Sequence, residues 1–190
     1  MKIAAMIFDR QRFIGVCLAF LFVGSAAAQQ ALPADTLLQA AFRKAAAENK
    51  NVLVIFQASW CGWCHKMDSS IYDARCRRFF EDNYILCHLA VHESKTKKQL
   101  ENPGAEKWMD SLNGTGLGIP FWVVMDGRGK LLADSRISDP GGQKGAGGTN
   151  SGCPANPEEV RYFTGVLHKT SRMTPEQLNI IAKRFAENAR

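Results

Sequence analysis

The sequence predicts an α/β domain in which a mixed β-sheet is covered by helices on both faces. Three observations lead there. Helical apolar spacing alternates with short β-branched and aromatic runs, beginning with a helix over 35–50 and a strand over Val52 to Phe56. A strand–helix–strand unit comes first. An antiparallel hairpin follows it, with strands over Phe121–Met125 and Lys130–Ile137 around the turn Asp126-Gly127-Arg128-Gly129.

Each element has a local cause. In the first helix, Leu37, Leu38, Ala41, Phe42 and Ala45 share one face, and Asp35 is placed to cap it. Asn51 ends it. Val52-Leu53-Val54-Ile55-Phe56 is an unbroken apolar run, so its strand is expected to be buried on both faces. A helix runs from Cys61 to about Tyr72, and a second helical piece from about Ala74 to Asp82 carries Phe79 and Phe80. Tyr84 to Val91 is the next strand. The stretch from Gln99 to Leu112 is helical in part and broken at Pro103-Gly104. Five glycines between Gly141 and Gly148 make 138–156 a mobile loop with Cys153 exposed in it. Pro157 then opens a helix in whose first turn Glu158 and Glu159 face the positive end. Thr174-Pro175-Glu176-Gln177 opens the last helix as a capping box.

Composition narrows the class. At 190 residues, 46% hydrophobic and 22% charged, the chain suits one packed domain and not a disordered segment. The formal charge is +6, and Lys2, Arg10, Arg12 and Asp9 account for part of it. What remains after residue 28, about +4 by the same count, is too little to argue for nucleic acid, and no basic stripe is interleaved with aromatics. The short run Lys95, Lys97 and Lys98 reads as solvated surface.

The N-terminus reads as a secretory signal over 1–28. Arg10 and Arg12 precede an apolar run from Phe13 to Val23, and Ala26-Ala27-Ala28 fits a cleavage site before Gln29. The alternative is an uncleaved membrane anchor, for which the run is short and lacks a charged stop. Cys17 inside it is filler. The remaining 29–190 is expected to be one domain, with its core at about 35–137, the glycine-rich loop at 138–156 and C-terminal helices at 157–190. Disulfides persist outside the cytosol. Cysteines 61, 64, 76, 87 and 153 remain after the signal, an odd number, so at least one has no internal partner.

The chemistry centres on Trp60-Cys61-Gly62-Trp63-Cys64, which follows a buried strand and opens a helix. That placement sets Cys61 at a helix N-terminus. Free backbone N–H groups and the macrodipole there favour a thiolate, and a lowered pKa makes the sulfur reactive and a good leaving group. Cys64 lies within reach inside the first turn. Before the Phe121 strand, Gly118-Ile119-Pro120 suggests a cis proline that exposes the Ile119 backbone to a substrate strand. An ordinary trans proline at a strand start is the plainer alternative.

Together the Val52–Phe56 strand, the WCGWC motif, Ile119-Pro120 and the Asp126-Gly127 hairpin resemble the thioredoxin superfamily, and more narrowly exported bacterial thioredoxin-like proteins with that motif. The resemblance covers about Asp35 to Ile137, and the two C-terminal helices match the family's single final helix only loosely. It implies a thioredoxin-like fold and thiol–disulfide exchange with protein substrates, Cys61 as nucleophile, Cys64 as resolving thiol and Pro120 as the cis proline. Trp60, Gly62, Trp63, Ile119 and Pro120 would line the substrate site. A redox partner would recycle the pair, no cofactor or metal would be needed, and a bacterial periplasm is the expected location. Membrane contact is expected only through an uncleaved signal. The sequence departs from the family at the buried aspartate six residues before the nucleophile, here Ile55, and at a lysine on the next strand, here His88. Trp63 stands where thioredoxin has proline.

The same residues admit other readings. Cys61-Gly62-Trp63-Cys64-His65 also fits c-type haem attachment, with Met67, Met109, Met125 or Met173 as a distal ligand. A strand directly before the motif speaks against it, and it leaves Ile119-Pro120 unexplained. Zinc would need two close ligand pairs, and Cys76, Cys87 and His88 fit no standard spacing. A thioredoxin fold used only for binding or chaperoning is motivated by Ile55. His65 and His88 are candidates to tune the cysteine pair. Cys76 and Cys87 read as small buried apolar residues before they read as a second disulfide. Trp108, Phe121 and Trp122 read as core. Asn113-Gly114-Thr115 would be a glycosylation acceptor only in a eukaryotic secretory host.

Overall fold

A computed structural model describes residues 30–137 and 148–190. The proposed signal over 1–28 and the glycine-rich stretch 138–147 lie outside the described residues. The chain forms helix α1 (Ala34–Glu48), strand β1 (Asn51–Gln57), helices α2 (Gly62–Ile71) and α3 (Arg77–Asn83), and strand β2 (Tyr84–Ala90). A short 3-10 helix (Lys95–Leu100) and α4 (Ala105–Ser111) precede strands β3 (Phe121–Met125), β4 (Leu131–Asp134), β5 (Arg136–Ile137) and β6 (Thr149–Asn150). Helices α5 (Pro157–Thr170) and α6 (Pro175–Ala186) follow.

The main sheet has the order β2-β1-β3-β4. β1 pairs parallel with β2 and antiparallel with β3, which pairs antiparallel with β4. A parallel neighbour needs a crossover, which α2 and α3 supply. Burial on both faces shapes β1: Leu53 and Ile55 face one apolar core with Met67, Phe80, Trp122, Phe163 and Phe185, while Val52, Val54 and Phe56 face another with Leu38, Ala45 and Phe121. The expected α/β class with helices on both faces is what forms.

Several boundaries differ from the sequence reading. Asp35 does not cap α1; the helix starts one residue earlier, behind Pro33, because Pro33 O accepts from Thr36 and Leu37 and the Ala34 N–H finds Pro103 O at 2.9 Å. Asp35 lies in the first turn, where its charge still suits the dipole. α1 ends at Asn49, in the left-handed conformation at φ 52°, and Asn51 belongs to β1. α3 begins late because the Asp73 carboxylate accepts from the Arg75 N–H and holds a turn ahead of it. Both C-terminal helices open at their prolines as expected, α6 with the expected capping box Thr174/Gln177 and α5 with a second box, Asn156/Glu159, where Glu159 was expected only as a charge at the dipole.

The largest difference lies after the hairpin. The returning strand does not continue to Ile137 as one piece. It leaves the main sheet at buried Ser135, whose Oγ accepts from the Trp122 N–H at 3.4 Å and whose carbonyl accepts from Ser151 N–H at 2.8 Å. β5 then pairs with β6 in a second, two-stranded sheet. The described part of the expected mobile loop, 148–156, is therefore tied down. Gly148 fits there because an added Cβ would stand 2.5 Å from Ile137 O.

Candidate active site

α2 begins at the C-terminal end of β1, and the turn between them fixes the cysteine pair. Cys61 N–H donates to Ala58 O at 3.0 Å, and Cys61 is the N-cap of α2. Cys61 and Cys64 form a disulfide with their Cα atoms 5.2 Å apart. The Cys64 N–H donates to Cys61 Sγ at 3.1 Å. That N–H is one of the orphan donors of the helix start, so charge on Cys61 would meet both a hydrogen bond and the dipole.

The Ile119–Pro120 peptide bond is cis. Ile119 O lies 3.5 Å from Cys61 Sγ, and Ile119 packs with Ala58, Cys61 and Cys64. Cys61 and Ile119 are 58 positions apart in the chain and meet because β1 and β3 are antiparallel neighbours, so that β1 ends and β3 begins at the same end of the sheet. Trp60 and Trp63 flank the sulfurs with 59% and 48% of their surface exposed. Trp60 Nε1 donates to His92 O at 2.8 Å, and Lys66 Nζ sits 4.7 Å from the Trp63 ring centre. Gly62 is exposed beside them and open to approach.

The two histidines sit near the pair without touching the sulfurs. His65 Nε2 bonds Ser59 O at 3.0 Å. The β1/β2 register sets His88 opposite Ile55, and its Nε2 meets Asp68 Oδ1 at 2.9 Å. Asp68 lies one turn beyond Cys64 on α2, so a carboxylate approaches His88 from the helix although position 55 is apolar and buried. As for the haem pattern, the two sulfurs are bonded to one another. Met67 and Met173 are buried in one core, and Met109 and Met125 in the other.

Glu93 escaped the sequence reading. It is 5% exposed, and its carboxylate accepts from Ser59 N–H at 2.6 Å and from Ser59 Oγ at 2.8 Å. It thereby pins the turn that carries Cys61. The sole signal was a glutamate placed just beyond the apolar end of a strand, Leu89-Ala90-Val91.

Among the described residues the other cysteines, Cys76, Cys87 and Cys153, are free and buried. Cys76 and Cys87 lie in different cores, as expected of small apolar residues, and burial pushes each thiol up to about 11. Cys153 is a correction, since it was expected to be exposed. The 148–156 segment is held by Trp122 Nε1 to Gly152 O at 2.9 Å, and Asn188 Nδ2 reaches Cys153 Sγ at 3.4 Å. Burial pushes that thiol up to about 12. Phe121 and Trp122 are fully buried and Trp108 half-buried, in keeping with a core role.

Residues 34–127 match a family model described as thioredoxin-like. Among solved structures the chain is similar to a disulphide isomerase from Xylella fastidiosa Temecula1, at 18% identity and a TM-score of 0.48, over 83% of this chain and 92% of that one. It is also similar to a DsbH oxidoreductase, at 19% identity and a TM-score of 0.42, over 87% and 95%. A thioredoxin domain of a thiol-disulfide oxidoreductase from Bacteroides vulgatus aligns at 20% identity and a TM-score of 0.34, over 46% and 70%. No curated protein matches the chain.

Proposed function

Residues 34–127 form a thioredoxin-like domain whose close Cys61–Cys64 pair supports thiol–disulfide oxidoreductase activity, and from that premise we propose that the chain exchanges disulfides with protein substrates outside the cytosol. One observation supports this most: Cys61 Sγ receives the Cys64 N–H at a helix start while lying 3.5 Å from the carbonyl before the cis proline.

In the reducing direction the Cys61 thiolate attacks one sulfur of a substrate disulfide. The substrate S–S bond breaks, its other sulfur leaves as a thiolate and takes a proton from water, and Cys61 is joined to the substrate. Cys64 then gives up its proton and attacks Cys61 Sγ. The Cys61–Cys64 bond forms and the second substrate thiol is released. Two electrons pass to the substrate, and a separate dithiol partner returns them. The oxidising direction reverses these steps.

An extended substrate segment would lie against Trp60, Gly62, Trp63, Ile119 and Pro120, pairing with the Ile119 backbone. His65 would act on the pair through the Ser59 carbonyl that it bonds, and His88 through Asp68 on the helix that carries Cys64. Export rests on the apolar run Phe13–Val23 and Ala26-Ala27-Ala28, with a bacterial periplasm as the location. Among the described residues no helix is long and apolar enough to cross a membrane.

Reduction of insulin by the reduced chain tests the reading. Wild type should turn over with dithiothreitol, Cys61→Ser should fall to the background rate, and Cys64→Ser should accumulate a mixed disulfide visible on a non-reducing gel. Equal rates for wild type and Cys61→Ser would overturn it.

A further inference from the structure

Glu93 is a buried acid that the exchange steps above do not use. Just past β2, His92 at φ 55° turns the chain, and residues 92 and 93 hold the two residues before Cys61 by three bonds. The Glu93 carboxylate takes the Ser59 N–H at 2.6 Å and the Ser59 Oγ at 2.8 Å, and His92 O takes Trp60 Nε1 at 2.8 Å.

The carboxylate has no counter-ion. Both of its donors are neutral, and among the described residues it forms no ion pair. The charged groups around it have partners of their own: Lys98 bonds Glu101 at 2.7 Å, and His92 meets Glu106 at 3.5 Å. Glu101 also accepts the Glu93 N–H at 2.8 Å, so a second carboxylate stands next to the first. On the α2 side of the cysteines, Lys66 Nζ donates to Asn188 O at 2.8 Å, His65 binds Ser59 O, and Asp68 binds His88. Across the cleft, Glu159 Oε2 is held by the Ala155 and Asn156 N–H groups.

Ser59 lies two residues before Cys61. Two Cα steps and one hydrogen bond put the Glu93 charge roughly 10 Å from the Cys61 sulfur. The oxidised pair carries no charge, whereas reduced Cys61 carries one when it ionises. A fixed anion at that range acts on the dithiol form and leaves the disulfide form alone. It raises the cost of the thiolate, against the Cys64 N–H and the α2 dipole that favour it.

We propose that Glu93 is a positioning residue that holds the turn before Cys61 and sets the redox poise of the pair, making the dithiol a stronger reductant than it would be without that charge. The proposal rests on Cys61 being the exchanging thiolate.

The test equilibrates the folded protein with reduced and oxidised glutathione at pH 8, then counts free Cys61 and Cys64 by alkylation and mass spectrometry. As the Cys61–Cys64 bond forms, the glutathione disulfide accepts the two electrons and becomes two thiols. Glu93→Gln keeps an acceptor for the Ser59 N–H and removes the charge. It should move the equilibrium about five- to tenfold toward the dithiol, and lower the midpoint of Cys61 alkylation against pH by about 1. Glu93→Asp keeps the charge and should stay near wild type in both. Absence of either shift in Glu93→Gln, or equal shifts in Glu93→Asp, overturns the proposal. Should Glu93→Gln not fold, Glu101→Gln takes its place: it frees the Lys98 ammonium to offset Glu93 and should move the equilibrium the same way by about two- to threefold, and no movement overturns the proposal. Failure of wild type to equilibrate with glutathione at all overturns the exchange reading, and the proposal with it.

Discussion

Replacing Glu93 by alanine tests how the turn that carries Cys61 is held. The substitution removes two charge-assisted bonds, at 2.6 and 2.8 Å, from a side chain that is 5% exposed. Each such bond is worth about 1.5–3 kcal/mol net. Removing the carboxylate also relieves its own desolvation, while the Ser59 N–H is left without a partner. The net loss should be about 2–4 kcal/mol, which for a domain of this size lowers Tm by roughly 5–15 °C. Glu93→Gln keeps one acceptor and should lose about half as much. Urea unfolding followed by tryptophan fluorescence measures it, with Ser59→Ala completing a double-mutant cycle whose coupling should be about 1–2 kcal/mol. A Glu93→Ala midpoint equal to wild type, or zero coupling to Ser59, would refute the argument.

Two further outcomes follow from the buried groups. Burial raises Cys76 and Cys87 to about 11 and Cys153 to about 12, so between pH 9 and 11 the folded chain holds protons that the unfolded chain has lost. Their stabilising effect is complete below the unfolded thiol pKa and is lost as pH rises, on the order of 3 kcal/mol for each two-unit shift. Urea midpoints should therefore decline from about pH 9, less steeply in Cys87→Ala, and a flat profile would contradict this. Asn188 is buried and bonds Ser70 Oγ at 3.0 Å and Cys153 Sγ at 3.4 Å across the junction of α2 with the C-terminus. Asn188→Ala should cost about 2–3 kcal/mol and speed alkylation of Cys153, read by denaturation and by mass spectrometry. An unchanged Cys153 rate would show that Asn188 does not secure the 148–156 segment.

What was legible in the sequence is what neighbours in the chain determine. β1 was readable because Val52–Phe56 is apolar throughout, and α5 and α6 because Pro157 and Thr174-Pro175 start them locally. The cysteine pair and Pro120 were readable because their motifs are short and stand at a strand's end and a strand's start. The departure of the chain at Ser135 was not, since it depends on Trp122 and Ser151. Composition suggested an exposed Cys153, whereas contacts with Asn188, 35 positions away, help to bury it. Glu93 reaches Ser59 across 34 positions, and no local pattern signals such a bond. The candidate site is thus legible in the sequence at its cysteine pair and not in the residues that hold its frame.

Limited alkylation of the fully reduced chain at pH 6.5, with each modified cysteine located by mass spectrometry, tests the central claim most directly. Cys61, the sulfur that receives the Cys64 N–H at the mouth of α2, should be modified first, while Cys76, Cys87 and Cys153 stay unmodified. Modification of Cys64 or of a core cysteine ahead of Cys61 would contradict it.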